Sequence, residues 1–252
     1  MASVATKAYI RPRAYVRVSG ADAAGLLQRI VSNDVLAAES CEALILTPKG
    51  RVVAPLLVWR RAPDDFLLLT EPELGETVRA HLTRVRVASR CEIELEAHTS
   101  MVVLGGTDGI PIADYGVPAV EVLDGGDGAW PADDELERLR ILARTPRWRR
   151  EVDEEILPAE AGLDERAVSV TKGCFPGQEP VARLRNRGHV NRTLRVLDTG
   201  AVRADEAAEV RHAGRVVGRI TSAVPGLALA YVRVDVPDDA ELDVAGRPAR
   251  IH

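Results

Sequence analysis

Val170-Thr171-Lys172-Gly173-Cys174-Phe175-Pro176-Gly177-Gln178-Glu179 is the stretch on which the reading of this 252-residue chain turns. A β-prone run meets two glycines and a proline within five residues, which predicts a tight loop carrying Cys174. An arbitrary cysteine is more often a small buried filler. Here the context differs: Lys172 and the arginines that follow favour the thiolate, the reactive form of the side chain. Gln178 and Glu179 add an amide and a carboxylate close by.

Immediately downstream, Arg183, Arg185 and Arg187 alternate with Ala182, Leu184 and Asn186. Read as an extended strand, this pattern points all three guanidinium groups to one face. Such a stripe suits a polyglutamyl tail, a nucleotide or a tRNA, with a solvated strand face as the plain alternative. The net charge of −5 excludes a generally basic nucleic-acid binder and leaves only a local patch of this kind.

Working outward, the N-terminal half alternates strand and helix signals. A strand near Tyr15–Val18 precedes an amphipathic helix with Ala23, Leu26, Leu27, Ile30 and Val31 on one side. Two apolar runs, Ala43–Leu46 and Val52–Trp59, flank Thr47-Pro48-Lys49-Gly50-Arg51, which reads as a hairpin turn. A strand at Phe66–Leu69, a helix from about Glu73 to Arg84 and an alternating strand at Cys91–Glu96 follow, giving an α+β class. A Gly/Pro/Asp-rich link at Asp124–Asp134 and a helix to about Arg144 come next. Beyond Asn191 only short strand signals remain, which predicts a small closed antiparallel barrel. The expected domains are 1–190 and 191–252.

Composition removes several function classes. Cys41, Cys91 and Cys174 are odd in number and widely spaced, which gives neither a disulfide framework nor a zinc or four-thiolate cluster site. No tightly bound metal is expected. The apolar runs are far shorter than the roughly 20 residues a membrane span needs, and Met1–Lys7 lacks the pattern of a secretory signal, so a cytoplasmic protein is expected. Phosphate-loop, dinucleotide and hydrolase motifs are missing.

The run from Leu157-Pro158-Ala159-Glu160-Ala161-Gly162-Leu163 through Arg183, with its Lys-Gly-Cys-Phe-Pro-Gly-Gln-Glu core, resembles the signature region of the YgfZ/GcvT-like folate-binding family. Leu26–Val35, with its Asn33-Asp34 end, looks like that family's N-terminal helix, and Gly214–Ser222 with Leu227–Ala230 looks like its barrel signature. The resemblance implies sheet-and-helix subdomains around a central channel that holds tetrahydrofolate or a related reduced folate, with a C-terminal β-barrel. It further implies an accessory factor for iron–sulfur cluster assembly or repair, and so for tRNA-thiolating enzymes, with that machinery or its clients as partners. Within it Cys174 and Lys172 are the functional pair, Gly173, Phe175, Gly177, Gln178 and Glu179 complete the motif, and Asn33, Glu160, Arg183 and Arg185 are assigned to the folate.

Two departures bear on the chemistry. Where related aminomethyltransferases carry an acid after the hairpin turn, this chain has Ala54-Pro55, and neither side chain can exchange a proton. Where a glutamate pairs with the pterin, this chain has Leu142, which makes Glu160 the substitute. A folate-dependent aminomethyl transferase and a tRNA-binding module are therefore the alternatives to a protein that is not a classical enzyme.

Overall fold

The computed structural model describes residues 7–125 and 128–252. In chain order the first elements are β1 (Lys7–Ile10), β2 (Ala14–Ser19), α1 (Ala23–Ile30), β3 (Ser40–Leu46), β4 (Val52–Ala62) and β5 (Asp65–Thr70). There follow α2 (Gly75–Val85), β6 (Glu92–Glu96), β7 (Ser100–Leu104), β8 (Ile110–Ile112), β9 (Ala119–Leu123) and α3 (Asp134–Leu142). The antiparallel sheet β3-β4-β5-β2-β6 is apolar on both faces, and β5 explains how. Phe66 and Leu68 enter a core shared with Leu26 and Leu27 of α1 and Val78 and Leu82 of α2. Leu67 and Leu69 point the other way, packing with Tyr15, Leu57 and Ile110. Period-2 alternation with both faces covered turns the strand into a continuous apolar run. Full burial of leucines such as Leu26 and Leu27 contributes about 1.5–3 kcal/mol each.

The second face is covered by the sheet β1-β7-β9-β8. Sequence reading did not anticipate it, because its strands are only three to five residues long and too short for periodicity to register. Pro55 sits within β4 without harm: it is opposite Leu44 of β3, while pairing with β5 begins only at Leu57. On that side the Thr70 hydroxyl donates to the Pro55 carbonyl at 2.8 Å, tying the end of β5 to β4. The missing proline N–H therefore breaks no rung toward β5.

After α3 the chain is largely irregular, apart from α4 (Leu163–Arg166) and α5 (Gln178–Arg187). It then forms β10 (Arg192–Asp198), β11 (Glu209–His212), β12 (Arg215–Val224), β13 (Leu227–Arg233), β14 (Glu241–Val244) and β15 (Arg247–Ile251). These six close into a barrel when Leu197 and Asp198 of β10 pair with Ile251 and Arg250 of β15. Closure leaves no sheet edge to template another chain. Ala228, Ala230 and Val232 fill the barrel, whereas Leu227, Leu229 and Tyr231 of the same strand join the main core. The barrel is thus packed inside and glued outside by alternate residues of one strand. No described helix is long and apolar enough to cross a membrane.

Candidate functional site

The motif loop is held from below by its own lysine. Lys172 is buried, and its ammonium donates to the backbone carbonyls of Val31 at 2.5 Å and Asn33 at 2.9 Å, at the C-terminal end of α1. A cation suits that end of a helix, where carbonyls are left unpaired. The ammonium also stands 5.3 Å from the centre of the Phe175 ring. Ser169 N–H donates to Ser32 O at 3.0 Å, and the Ser32 hydroxyl reaches Ala167 O at 2.5 Å. Phe175 and Gly177 are buried, while Thr171, Gly173 and Cys174 are exposed. The loop therefore has a rigid floor and presents its thiol to solvent.

Gly177 adopts φ +83° and begins α5. It rests on the hairpin turn at Thr47–Arg51, where Gly50 in turn faces Pro180. Those two glycine-containing segments, far apart in sequence, pack against each other. Gln178 and Glu179 occupy the first turn of α5, where the negative charge of Glu179 matches the helix N-terminus.

Burial pushes the Lys172 ammonium down from 10.5 to about 8, against the upward pull of Asp34 and Cys41. Below that value folding carries the cost of a desolvated charge, and the unfolded chain holds its proton more firmly than the native one. Stability contributed at this site must then rise as the pH climbs from about 8 to about 10.5. Urea titrations of the wild-type chain and of Lys172→Met across that window should show the wild type gaining stability relative to the variant. Parallel pH dependences would rule the assignment out.

One sequence expectation is corrected here. Arg183 and Arg185 lie on a helix, α5, and are exposed. Residues two apart on a helix point about 200° apart, so they do not form a one-sided stripe. Helix wins because Gly177 supplies a left-handed start and Val181 buries its side chain one turn on. The side chain of Arg187 lies outside the described residues. Two further assignments fall on structural duties: the Asn33 amide donates to Glu42 O at 2.7 Å and Arg166 O at 3.3 Å. Glu160 accepts from Leu157 N–H at 3.0 Å and from Arg192 Nε of the barrel at 3.0 Å.

A cavity of about 370 Å³ opens on the other side of β3, between the two sheets. Its walls include Cys41, Glu42, Pro55, Leu56, Leu57, Glu71, Ile112, Asp114, Pro146 and Arg166, with Arg11 and Arg13. No motif residue, nor Asn33, Glu160, Arg183, Arg185 or Leu142, is among its lining. Cys41 connects the two places, since it lines the cavity and shares the field of Lys172. Burial pushes the Cys41 thiol up to about 11, with Lys172 pulling it back, so it rests as a protonated thiol.

The arginines of the cavity are committed to carboxylates. Arg11 donates to Asp114 at 2.6 Å, and Arg166 bridges Glu42 at 2.6 Å and Asp114 at 3.1 Å. Arg13 holds Glu121 through a fork with distances of 3.1 and 3.0 Å. Burial alone would raise the Asp114 carboxyl, but Arg11, Arg13 and Arg166 override it and hold it at about 2. Sequence reading missed these residues because they come from β3, the segment before β2, the loop after β8, and α4. Nothing local links them. Among the described residues no group of three or more His, Cys, Asp or Glu side chains could hold a metal ion.

Comparison with known proteins bears on this geometry. The model of the CAF17 C-terminal β-barrel domain matches residues 191–252. The structure of the glycine cleavage system aminomethyltransferase T from Bartonella henselae superposes with a TM-score of 0.84 at 16% identity, covering 98% of this chain and 85% of that one. Among curated proteins, an uncharacterized protein of Haemophilus influenzae is 25% identical over 90% of this chain and 87% of its own. The mitochondrial iron–sulfur cluster assembly factor IBA57 homolog of Pyricularia oryzae is 26% identical over 95% of this chain and 74% of its own. The fold is that of the GcvT-like proteins, α+β with a closed six-stranded C-terminal barrel. Within that class the chain is similar along most of its length to the IBA57 homolog, and its barrel matches the CAF17 C-terminal domain.

Proposed function

We propose that this protein is an accessory factor for iron–sulfur cluster assembly or repair that holds a reduced folate in the cavity beside β3 and presents Cys174 to a partner. The observation that carries the thiol's role is its setting: an exposed cysteine on a loop whose floor is locked by Lys172, Phe175 and Gly177. Immobilising the backbone around a solvent-facing thiol lowers the ordering cost of presenting it. The name of the Pyricularia oryzae relative supports the process. The partner is the iron–sulfur assembly machinery or one of its client proteins, tRNA-thiolating enzymes included, and the proposed compartment is the cytoplasm.

The cavity's residues fit a reduced folate. Its volume lies within the range of small-molecule sites, and Pro55, Leu56, Leu57, Ile112 and Pro146 offer apolar surface to a flat ring. A bound folate would supply an easily oxidised ring and nitrogens that carry one-carbon units. Aminomethyl transfer is disfavoured because Ala54 is fully buried and Pro55, at the wall, has no proton to exchange. A tRNA-binding role lost its main support with the one-sided arginine stripe.

In cells lacking the native gene, Cys174→Ala is expected to leave iron–sulfur enzyme activities at the level of the deletion strain, although the protein accumulates normally. Cys91→Ala, which alters a buried core thiol, should restore them. Full rescue by Cys174→Ala would remove the thiol from the function.

A further inference from the structure

The cavity holds one charged side chain that the protein itself does not use. Glu71 is half-buried in the wall and makes no side-chain hydrogen bond or ion pair among the described residues. Every other charge facing the cavity is spent: Arg11 and Arg166 on Asp114 and Glu42, and Arg13 on Glu121 behind the wall. Both oxygens of Glu71 remain open, whereas both of Asp114 are taken. Three arginines face four carboxylates there, so the region carries an excess negative charge and does not favour an anionic group. A neutral ligand edge with two adjacent N–H donors fits it instead.

The backbone sets where this side chain projects from. Glu71 precedes Pro72, which steers it away from helical geometry, and it sits at φ −66°, ψ 149°. It follows Thr70, whose hydroxyl is tied to Pro55 on the same cavity wall. The backbone position from which Glu71 projects is therefore set before a ligand arrives, which reduces the cost of binding.

We infer that Glu71 is the specificity residue of the cavity, its carboxylate accepting a paired hydrogen bond from the N3–H and 2-amino group of a 2-aminopyrimidin-4-one ring. This rests on the reduced-folate reading and replaces Glu160 in that role. The folate ring enters first toward Glu71, and its negatively charged glutamate tail stays at the mouth, away from the carboxylate excess. Charge-assisted hydrogen bonds of this kind discriminate strongly, because a missing donor leaves a desolvated carboxylate unpaired.

The test titrates the full-length protein with tetrahydrofolate and with its 2-desamino-2-methyl analogue, following heat by calorimetry. The unmodified protein is expected to bind tetrahydrofolate about 10- to 100-fold more tightly than the analogue. Glu71→Gln, with an unchanged unfolding midpoint, should weaken tetrahydrofolate by a similar factor and lose most of that discrimination. Undiminished binding by Glu71→Gln, or equal binding of the two ligands by the unmodified protein, would overturn the role of Glu71 and leave the folate reading standing. No saturable binding of tetrahydrofolate to the unmodified protein at millimolar concentration would remove both.

Discussion

Replacing Glu151 with alanine is expected to lower the unfolding free energy by roughly 3–5 kcal/mol. Its carboxylate has no exposed surface and accepts from Arg140 at 3.1 Å, from the Arg147 N–H at 2.9 Å and from the Ser222 hydroxyl at 2.7 Å. Arg140 is itself nearly inaccessible, so truncating Glu151 strands part of a buried cation as well as two polar donors. Ser222 belongs to β12, and the Tyr231 hydroxyl of β13 donates to the Glu151 carbonyl at 2.7 Å. The same residue therefore neutralises the interior and seats the barrel on the body. Glu151→Gln, which retains an acceptor, should cost less. Urea denaturation followed by far-UV circular dichroism and by tryptophan fluorescence measures both; a loss below about 1 kcal/mol for alanine would show the network to be dispensable.

Gly177→Ala is the second large effect. At φ +83° an L side chain is strained, at about 1–3 kcal/mol. The added Cβ would also stand 2.6 Å from Thr47 O, 3.0 Å from Leu46 Cβ and 3.1 Å from Gly50 Cα, mostly rigid backbone, adding about 1–3 kcal/mol of overpacking. The loop must lift off the hairpin to relieve this, which frees the segment that carries Cys174. Gly177→Ala should accordingly lower stability by roughly 2–6 kcal/mol and speed the reaction of Cys174 with a thiol reagent. Gly173→Ala, one residue before the cysteine, meets nothing within 4 Å and should change stability by no more than about 0.5 kcal/mol. Equal effects of the two substitutions would mean that the hairpin contact does not hold the loop.

Much of the architecture was legible because periodicity reports burial. Leu26 and Leu27 on α1, the runs of β3 to β5, and Leu227–Val232 of β13 all carry the pattern of the faces they bury. The arginines after the motif show where this fails. Residues alternating between Arg and smaller side chains satisfy a strand pattern, yet one left-handed glycine and one buried valine favour a helical turn over it. A period-2 match over so few residues is weaker than the burial of Val181 that a helical turn secures.

The sequence alone determined the loop and the resemblance it carries: glycines at fixed places and a lysine before the cysteine are local features, and local features are written in the chain. Only the tertiary structure decided where Lys172 points. It reaches the end of α1, more than a hundred positions away, and the charge that acts on it there is Asp34. The cavity was likewise decided by folding, since Arg11, Glu42, Glu71, Asp114 and Arg166 meet only when two sheets and α4 close around them. Charges that pair across such distances leave no spacing in the sequence, because what sets them together is the burial of both sheet faces.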